Sequence, residues 1–257
     1  MAIFYTSCNV SDNKGSGSMR VLLTDAPAFY EEVNIDVRQV LVNKDADAEP
    51  EEGEEGWEVI YDDSMQINLL DYQHGETLEL GETELETGRY NQLRLVLGNN
   101  NTVVIDGETL TMTTPSAQQS GYKLNIQGDV EEGEVYELVI DFDAAQSIVE
   151  TGNGAYILRP VLRTVNLQET GSISGIVLPI EAEPFVYAII NDDTLATQPD
   201  EEGDFQITGL SEGSYNVYFA PTDETFADSL VEAIVIVGNE DFTFEDTIIL
   251  RNLAITN

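Results

Sequence analysis

The chain has 257 residues, 42% of them hydrophobic, and its 49 acidic and 10 basic residues give a formal net charge of -39. The hydrophobic share argues against a disordered chain, and the scarcity of Lys and Arg argues against nucleic acid or anionic lipid headgroups as partners. The charge has two interpretations, adaptation to salty surroundings or a calcium-binding surface. We favour adaptation, because net charge acts first on solubility.

Residues 1–18 are predicted to serve export and anchoring. An apolar start is followed by Thr6-Ser7-Cys8, which resembles a bacterial lipobox and makes Cys8 the expected lipidation site. The apolar stretch is too short to direct export alone, so this interpretation requires a preceding segment. Residues 9–18 then form a flexible tether. The protein is expected outside the cytoplasm, as an outer-membrane or cell-surface lipoprotein or in secreted form, touching a membrane only through the lipid.

Residues 19–167 are predicted to form a first β-sandwich. Short apolar runs alternate with Gly, Asn, Asp or Pro turns and show no helical period, which is typical of sandwiches and barrels. The acidic loop 43–56 is expected to be a solvated hairpin tip. Counted from Asp45, the positions where an EF-hand needs Gly and Glu hold Pro50 and Gly56. The predicted strands are 20–24, 33–42, 57–61, 66–70, 84–91, 92–97, 102–105, 108–113, 122–126 and 135–142.

Five charged residues of this sandwich carry specific expectations. Arg94 lies on the polar face of its strand and is expected to meet a carboxylate. Asp141 and Asp143 are two apart on one strand and point to one face, where they could hold calcium or cleave a glycoside. We favour the simpler interpretation, in which Arg94 or Arg159 pairs with Asp141 and Asp143 caps a helix. Arg159 and Arg163, four apart, are expected to share a strand face.

One short helix is predicted near residues 143–149, because Asp143 and Gln146 have the spacing of a capping box. Residues 155–165 are predicted to form a long strand after it, and Pro160 marks an edge or a bulge of that strand.

Residues 168–257 are predicted to form a second β-sandwich. A heptapeptide of the first sandwich, residues 85–91, matches residues 210–216 as Leu-x-x-Gly-x-Tyr-Asn. In each copy we expect the Gly to supply a turn conformation denied to other residues and the Tyr to pack where the next strand begins. These structural residues are Gly88 and Tyr90 in the first copy and Gly213 and Tyr215 in the second.

The second sandwich resembles the carboxypeptidase-regulatory or Cna-B-like module over residues 168–250. The resemblance lies in Gly171-Ser172-Ile173-Ser174-Gly175-Ile176-Val177, Glu202-Gly203-Asp204-Phe205 and Tyr215-Asn216-Val217. It implies a transthyretin-like or immunoglobulin-like sandwich that acts as a spacer or an interaction unit. No lysine follows Lys123, which excludes the Lys-to-Asn crosslink that some such modules form.

The first sandwich resembles the domain-of-unknown-function family 4382 over about residues 17–166. The segments that carry the resemblance are residues 19–27, residues 88–95 and Asp141-Phe142-Asp143 with the residues that follow to Leu162. The resemblance implies a secreted or lipid-anchored protein, in agreement with Cys8. It implies a fold and a location and no chemistry.

Neither catalysis nor a resident cofactor is expected, although calcium remains an open alternative. His74 is the one histidine and Cys8 the one cysteine, so zinc sites and Ser-His-Asp hydrolases are excluded. The sequence also lacks the GxSxG, P-loop and dinucleotide motifs. His74, which precedes a glycine, is expected to be a turn residue.

Three functions fit these observations. The leading hypothesis is a non-catalytic surface lipoprotein that acts as a binding, adhesion or spacer module. The second is a subunit of an extracellular filament or surface layer, in which residues 251–257 add to a neighbour's sheet unless they complete their own sandwich. The third is a carbohydrate-binding module using Trp57, Tyr61 and Tyr72. The expected partners are other surface proteins, glycans or copies of the chain itself.

Overall fold

The computed structural model describes residues 15–26, 28, 30–47, 56–73, 76–114, 121–152, 154–166, 169–191 and 193–253. Over these residues the protein is all-β, with two β-sandwiches in tandem and one short α-helix, as the sequence predicts. Each sandwich encloses a hydrophobic core of its own.

The N-terminal sandwich has two sheets. Its elements are β1 (Ser16–Ala26), β2 (Glu32–Asn43), β3 (Trp57–Asn68), β4 (Leu78–Glu86), β5 (Gly88–Leu97), β6 (Asn101–Ile105), β7 (Glu108–Thr113), β8 (Tyr122–Val130), β9 (Val135–Asp143), α1 (Ala144–Ser147), β10 (Ile148–Glu150), β11 (Tyr156–Leu158) and β12 (Leu162–Asn166). One sheet has the order β12-β9-β1-β4. The other has the order β10-β11-β7-β6-β2-β5-β8, with β3 also paired to β2. Strand β1 is therefore central, parallel to β9 and antiparallel to β4.

Period-two alternation builds the N-terminal core. On β1 the side chains of Met19, Val21 and Leu23 are completely buried. Arg20, which lies between them in sequence, faces outward and forms ion pairs with glutamates of the neighbouring strands. Successive side chains of a strand point to opposite faces of the sheet, so this short sequence sets one apolar and one charged face.

The long strand predicted over residues 155–165 is wrong, because the chain changes sheets there. Strand β11 lies in the larger sheet and β12 in the smaller one. Pro160 lies in the connection between them, where a residue without an N–H group breaks no ladder. Arg159 also lies in this connection and donates its backbone N–H to the carbonyl of Ser147. It therefore does not share a strand face with Arg163.

The predicted division between strands at residues 91 and 92 is also wrong. Strand β4 ends at Glu86 and β5 begins at Gly88. Gly88 has φ +133°, a backbone conformation that side chains with a Cβ rarely adopt. The turn therefore precedes the tyrosine of the repeated heptapeptide, and Tyr90 lies within β5.

The two heptapeptides form the same local contact. The Tyr90 hydroxyl donates to the carbonyl of Glu86 at 3.3 Å, and the Tyr215 hydroxyl donates to the carbonyl of Ser211 at 3.0 Å. Both rings are buried, as in the tyrosine corner of Greek-key sandwiches.

The two glycines of the heptapeptides differ. Gly213, unlike Gly88, does not have a positive φ, so the turn conformation expected there is wrong. Space is the constraint at this position instead, because a Cβ on Gly213 would collide with Cδ1 of Ile190.

The C-terminal sandwich has two sheets, with the orders β16-β13-β19, in which β20 also pairs with β13, and β15-β14-β17-β18. Its strands are β13 (Gly171–Leu178), β14 (Pro184–Ile190), β15 (Asp193–Thr197), β16 (Asp204–Leu210), β17 (Gly213–Pro221), β18 (Ser229–Ile236), β19 (Phe242–Thr243) and β20 (Ile248–Ile249). Edge-to-face aromatic contacts of Phe219 with Phe205 and Phe244 help to fill its core.

The last described residues belong to this sandwich. Ala227 donates its N–H to the carbonyl of Arg251, and Leu253 donates its N–H to the carbonyl of Thr225. Residues 251–253 therefore complete their own sandwich, which is the alternative that the sequence favoured. The end of the predicted tail, residues 254–257, lies outside the described residues.

Candidate binding site

A cleft of about 450 Å³ lies between the two sandwiches. Its N-terminal wall contains the carboxyl ends of β1 and β9, the helix α1 and the start of β12. Its C-terminal wall contains Phe185 and Tyr187 of β14 together with residues of β15 and β16. Both aspartates singled out from the sequence, Asp141 and Asp143, line this cleft.

Asp141 is held by an arginine from the adjacent strand. Asp141 of β9 stands directly opposite Arg163 of β12 in the antiparallel register, and the Arg163 Nε donates to the Asp141 Oδ2 at 2.5 Å. Burial raises the pKa of Asp141, and the charge of Arg163 opposes that rise. The partner is therefore neither Arg94 nor Arg159, because Arg159 lies in the connection outside the sheet.

Asp143 caps α1, as predicted. Its Oδ1 accepts the backbone N–H of Gln146 at 2.8 Å, which satisfies one of the free donors at a helix start. The reciprocal half of the capping box is different. The backbone N–H of Asp143 already donates to the carbonyl of Val161, so the Gln146 amide donates to the Asp143 carboxylate instead.

A third carboxyl group at this end of the sheet, Asp25, was missed. Its Oδ1 accepts the backbone N–H of Ala144 and its Oδ2 accepts from the Gln73 amide, both at 3.0 Å. Asp25 is only 6% exposed, and this burial raises its pKa to about 8 against the two hydrogen bonds. The signal that would have found it is the parallel register of β1 and β9, which sets Asp25 beside Phe142.

These contacts give the predicted calcium site no additional ligand. Within the described residues, no group of three or more His, Cys, Asp or Glu is placed to hold a metal ion. Asp141 and Asp143 are occupied by Arg163 and by the helix start. Calcium at these two residues remains a prediction.

Arg94 does not meet a carboxylate among the residues that the structure describes. Its guanidinium carbon lies 4.1 Å from the centre of the Trp57 ring, a cation–π contact, and burial lowers its pKa. Trp57 is only 8% exposed, and Tyr61 and Tyr72 pack against the N-terminal core. The three aromatic residues considered for sugar binding therefore form no exposed platform.

A second candidate surface is the outer edge of β18, here called the β18 edge (Ser229–Ile236). In the described part of the chain β18 pairs only with β17. Leu230 and Val235 are 51% and 58% exposed on this strand. Glu232 is its single charged residue, and no lysine or proline interrupts it. Such an edge offers both unpaired backbone groups and apolar side chains.

The long edge strands of the N-terminal sandwich are protected by charge. Strand β4 carries four glutamates along its nine residues, and β3 carries a glutamate and two aspartates. Charged residues on an edge hinder pairing with another chain. The β18 edge lacks this protection.

The sequence profile of one family, described as a domain of unknown function (DUF4382), matches residues 16–160, which is more than half of the chain. The chain belongs to the DUF4382 family. The match covers β1 to β11 and the aspartates that line the N-terminal wall of the cleft. It ends before the C-terminal sandwich, so the carboxypeptidase-regulatory resemblance of that part remains an expectation. No curated protein sequence matches this DUF4382 protein.

Several solved structures align with the chain at low similarity. One is a type II cohesin–X-dockerin complex from Acetivibrio cellulolyticus, with 16% identity and a TM-score of 0.26; the alignment covers 32% of this chain and 58% of that one. Another is the minor pilin of Streptococcus agalactiae, with 9% identity, 93% and 98% coverage and a TM-score of 0.24. A putative adhesin from Bacteroides ovatus has 12% identity, 98% coverage of both chains and a TM-score of 0.21. TM-scores this low do not establish a common fold.

Two residues named from the sequence, Cys8 and His74, lie outside the described residues, as do residues 1–14 with most of the expected tether. None of the helices in the described ranges is long and apolar enough to cross a bilayer.

Proposed function

We propose that this DUF4382 protein is a non-catalytic binding module displayed outside the cytoplasm, and that it engages another surface protein through the β18 edge. The observation that carries the proposal is the coincidence of a free sheet edge with exposed apolar side chains at Leu230 and Val235. Strand addition uses both features, since the backbone supplies hydrogen bonds and the side chains supply packing.

The contacts of the three carboxylates at the cleft support a non-catalytic role. Asp25 holds the start of α1, Asp141 pairs with Arg163 and Asp143 caps α1. A general acid or base must reach a substrate proton, whereas these three groups are each bound to the protein itself. They join β1, β9, β12 and α1 at the end of the N-terminal sandwich that faces the cleft.

Display outside the cytoplasm is proposed through a lipid on Cys8. The precursor, with its native upstream sequence, should incorporate a fatty-acid probe when made in a Gram-negative host and should partition into detergent. The Cys8→Ser variant should do neither. Equal labelling of both proteins, or no labelling of either, would contradict the anchor.

Binding through the β18 edge can be tested in intact cells that make the protein. A photo-crosslinking amino acid in place of Leu230 should give a covalent adduct with a second surface protein after illumination. The same amino acid in place of Ile249, which is 66% exposed on the other sheet of the same sandwich, should give none. Absence of an adduct at position 230, or equal adducts at both positions, would remove the β18 edge from the function.

The second candidate function is a filament subunit in which the β18 edge receives a strand from another copy. The free edge favours this function as well. Its donor strand is not residues 251–253, because these pair with residues 225–227 of their own chain. In the crosslinking experiment a filament would give a ladder of multiples of the chain mass, whereas a binding module gives one heteromeric product.

A further inference from the structure

We infer that the β18 edge takes an extended segment of a different protein that carries apolar and basic side chains together on one face. The inference rests on the proposed function and adds the chemical class of the partner. Three features of the C-terminal sandwich lead to it: the side chains beside the edge, the charge around it and an irregularity in the strand.

An apolar row begins at the edge and continues across the sheet. Leu230 of β18 stands opposite Tyr218 of β17, and Tyr218 stands opposite Tyr187 of β14. The two tyrosine rings are 6.4 Å apart between their centres. Because side chains of adjacent strands pack in such rows, an added strand would place every second side chain on this face, and some of these would lie beside Leu230 and Val235. Those positions of the partner must be apolar.

The charge around the edge selects other positions on the same face of the partner. Residues 169–257 contain 18 acidic residues and one basic residue, Arg251. Asp228 precedes β18 and Glu232 lies on it, and both are exposed on the same face as Leu230 and Val235. A basic strand is attracted to this surface at low salt. A second copy of the chain, whose net charge is also -39, is repelled.

The irregularity limits how long the pairing can be. The register of β17 and β18 shifts between Tyr215 and Val217, and Ala233 of β18 has φ +61°. The Ala233 N–H donates to the side-chain oxygen of Asn216 at 3.3 Å. A bulge increases the local twist and disrupts flat pairing, which disfavours indefinite stacking of identical strands. A single short segment can still pair on either side of the bulge.

The test uses the full chain and labelled peptides of about ten residues, long enough to span the strand. In the first peptide pairs of valines alternate with pairs of lysines, so that each face of the strand carries both residues. In the second peptide glutamate replaces each lysine, and in the third a central valine is replaced by proline, which cannot donate to the ladder. Fluorescence anisotropy in low salt should show binding of the lysine peptide. The glutamate and proline peptides should bind at least about tenfold more weakly, and added salt should weaken the binding of the lysine peptide.

Variants of the protein locate the site. The double variant Leu230→Lys/Val235→Lys should bind the lysine peptide at least about tenfold more weakly. The thermal midpoint of the variant should stay unchanged, because both positions are exposed. The double variant Ile176→Lys/Ile249→Lys adds the same charge at two exposed positions of the other sheet and should change the affinity much less. An equal loss of affinity in both variants would show that net charge causes the effect, and would overturn the assignment to the edge.

The outcomes separate the partner class from the proposed function. If Leu230 crosslinks to a surface protein in cells but the glutamate peptide binds as tightly as the lysine peptide, the binding function stands and the basic partner is wrong. If the lysine peptide binds at the edge but no adduct forms in cells, the edge chemistry stands and the proposed function fails. If no peptide binds, the strand-addition inference is overturned.

Discussion

The two sandwiches handle charge in different ways. In the N-terminal sandwich Arg20, Arg38 and Arg163 pair with carboxylates of the same or adjacent strands, and acidic rows line the edges β3 and β4. The C-terminal sandwich has one arginine and no lysine. Its carboxylates remain on the surface and its edge β18 is largely apolar. The first sandwich therefore uses ion pairs to hold its own strands, whereas the second has almost no basic side chain to pair with its carboxylates and, among the described residues, pairs β18 on one side only.

The largest expected effect is a pH dependence of the stability of the N-terminal sandwich. Burial raises the pKa of Asp25 from 3.8 to about 8, so the folded state keeps a proton that the unfolded chain loses above pH 4. Stability is then highest in acid and is lost as pH rises from about 4 to about 8, by up to roughly 5 kcal/mol. Urea unfolding across this range should show the loss, and Asp25→Asn should reduce it.

The control for Asp25 is Asp106→Asn, an exposed isosteric change in a hairpin turn. General repulsion among 49 acidic residues also grows with pH, and this control removes one charge without a buried site. It should leave the slope of stability against pH nearly as in the parent chain. If both variants flatten the slope equally, general repulsion and not Asp25 is responsible.

An intermediate effect is expected at the ion pair that lines the cleft. Arg163→Gln leaves Asp141 buried without its charged partner and should lower the free energy of unfolding by about 2 kcal/mol. The estimate is below that of a fully buried pair because Arg163 is partly exposed. Arg159→Gln removes one of the two arginines that the sequence suggested as partners of Asp141, and the free energy of unfolding by denaturant should change by less than about 0.5 kcal/mol. A larger loss of stability in Arg159→Gln than in Arg163→Gln would instead support Arg159 as the partner of Asp141.

The smallest effects compare the two tyrosine corners. Tyr90→Phe and Tyr215→Phe each remove one hydroxyl hydrogen bond and should each cost about 1 kcal/mol. Because the two cores are separate, calorimetry should show the first change in the N-terminal transition and the second in the C-terminal transition. A single transition shifted by both variants would show that the sandwiches unfold as one unit.

The sequence predicted the elements that depend on local pattern. Short apolar runs between turn residues identified most of the strands, and the spacing of Asp143 and Gln146 identified the helix start. Local pattern does not reveal which distant strands become neighbours. Arg163 was therefore not recognised as the partner of Asp141, and Asp25 was not recognised at all. Both depend on the pairing of β9 with β12 and with β1.

The break at Pro160 and the packing of Gly213 show two further limits. Proline signals an irregularity, but whether the chain bulges or moves to the other sheet depends on where the second sheet lies. The structural role of a glycine can be inferred only when its backbone angles are known. Gly88 has a positive φ, whereas a Cβ at Gly213 would meet the end of the Ile190 side chain, and the four residues that the heptapeptides share do not distinguish these causes.

The parallel pairing of β1 with β9 has a consequence for how the chain is made. Residues of the first strand meet partners more than a hundred positions later, as in the contact of Arg20 with Glu137. During synthesis β1 leaves the ribosome long before β9. It therefore lacks this neighbour until most of the N-terminal sandwich has been made. Contacts so distant in sequence slow folding. We therefore expect the first sandwich to fold slowly, although it leaves the ribosome before the C-terminal sandwich.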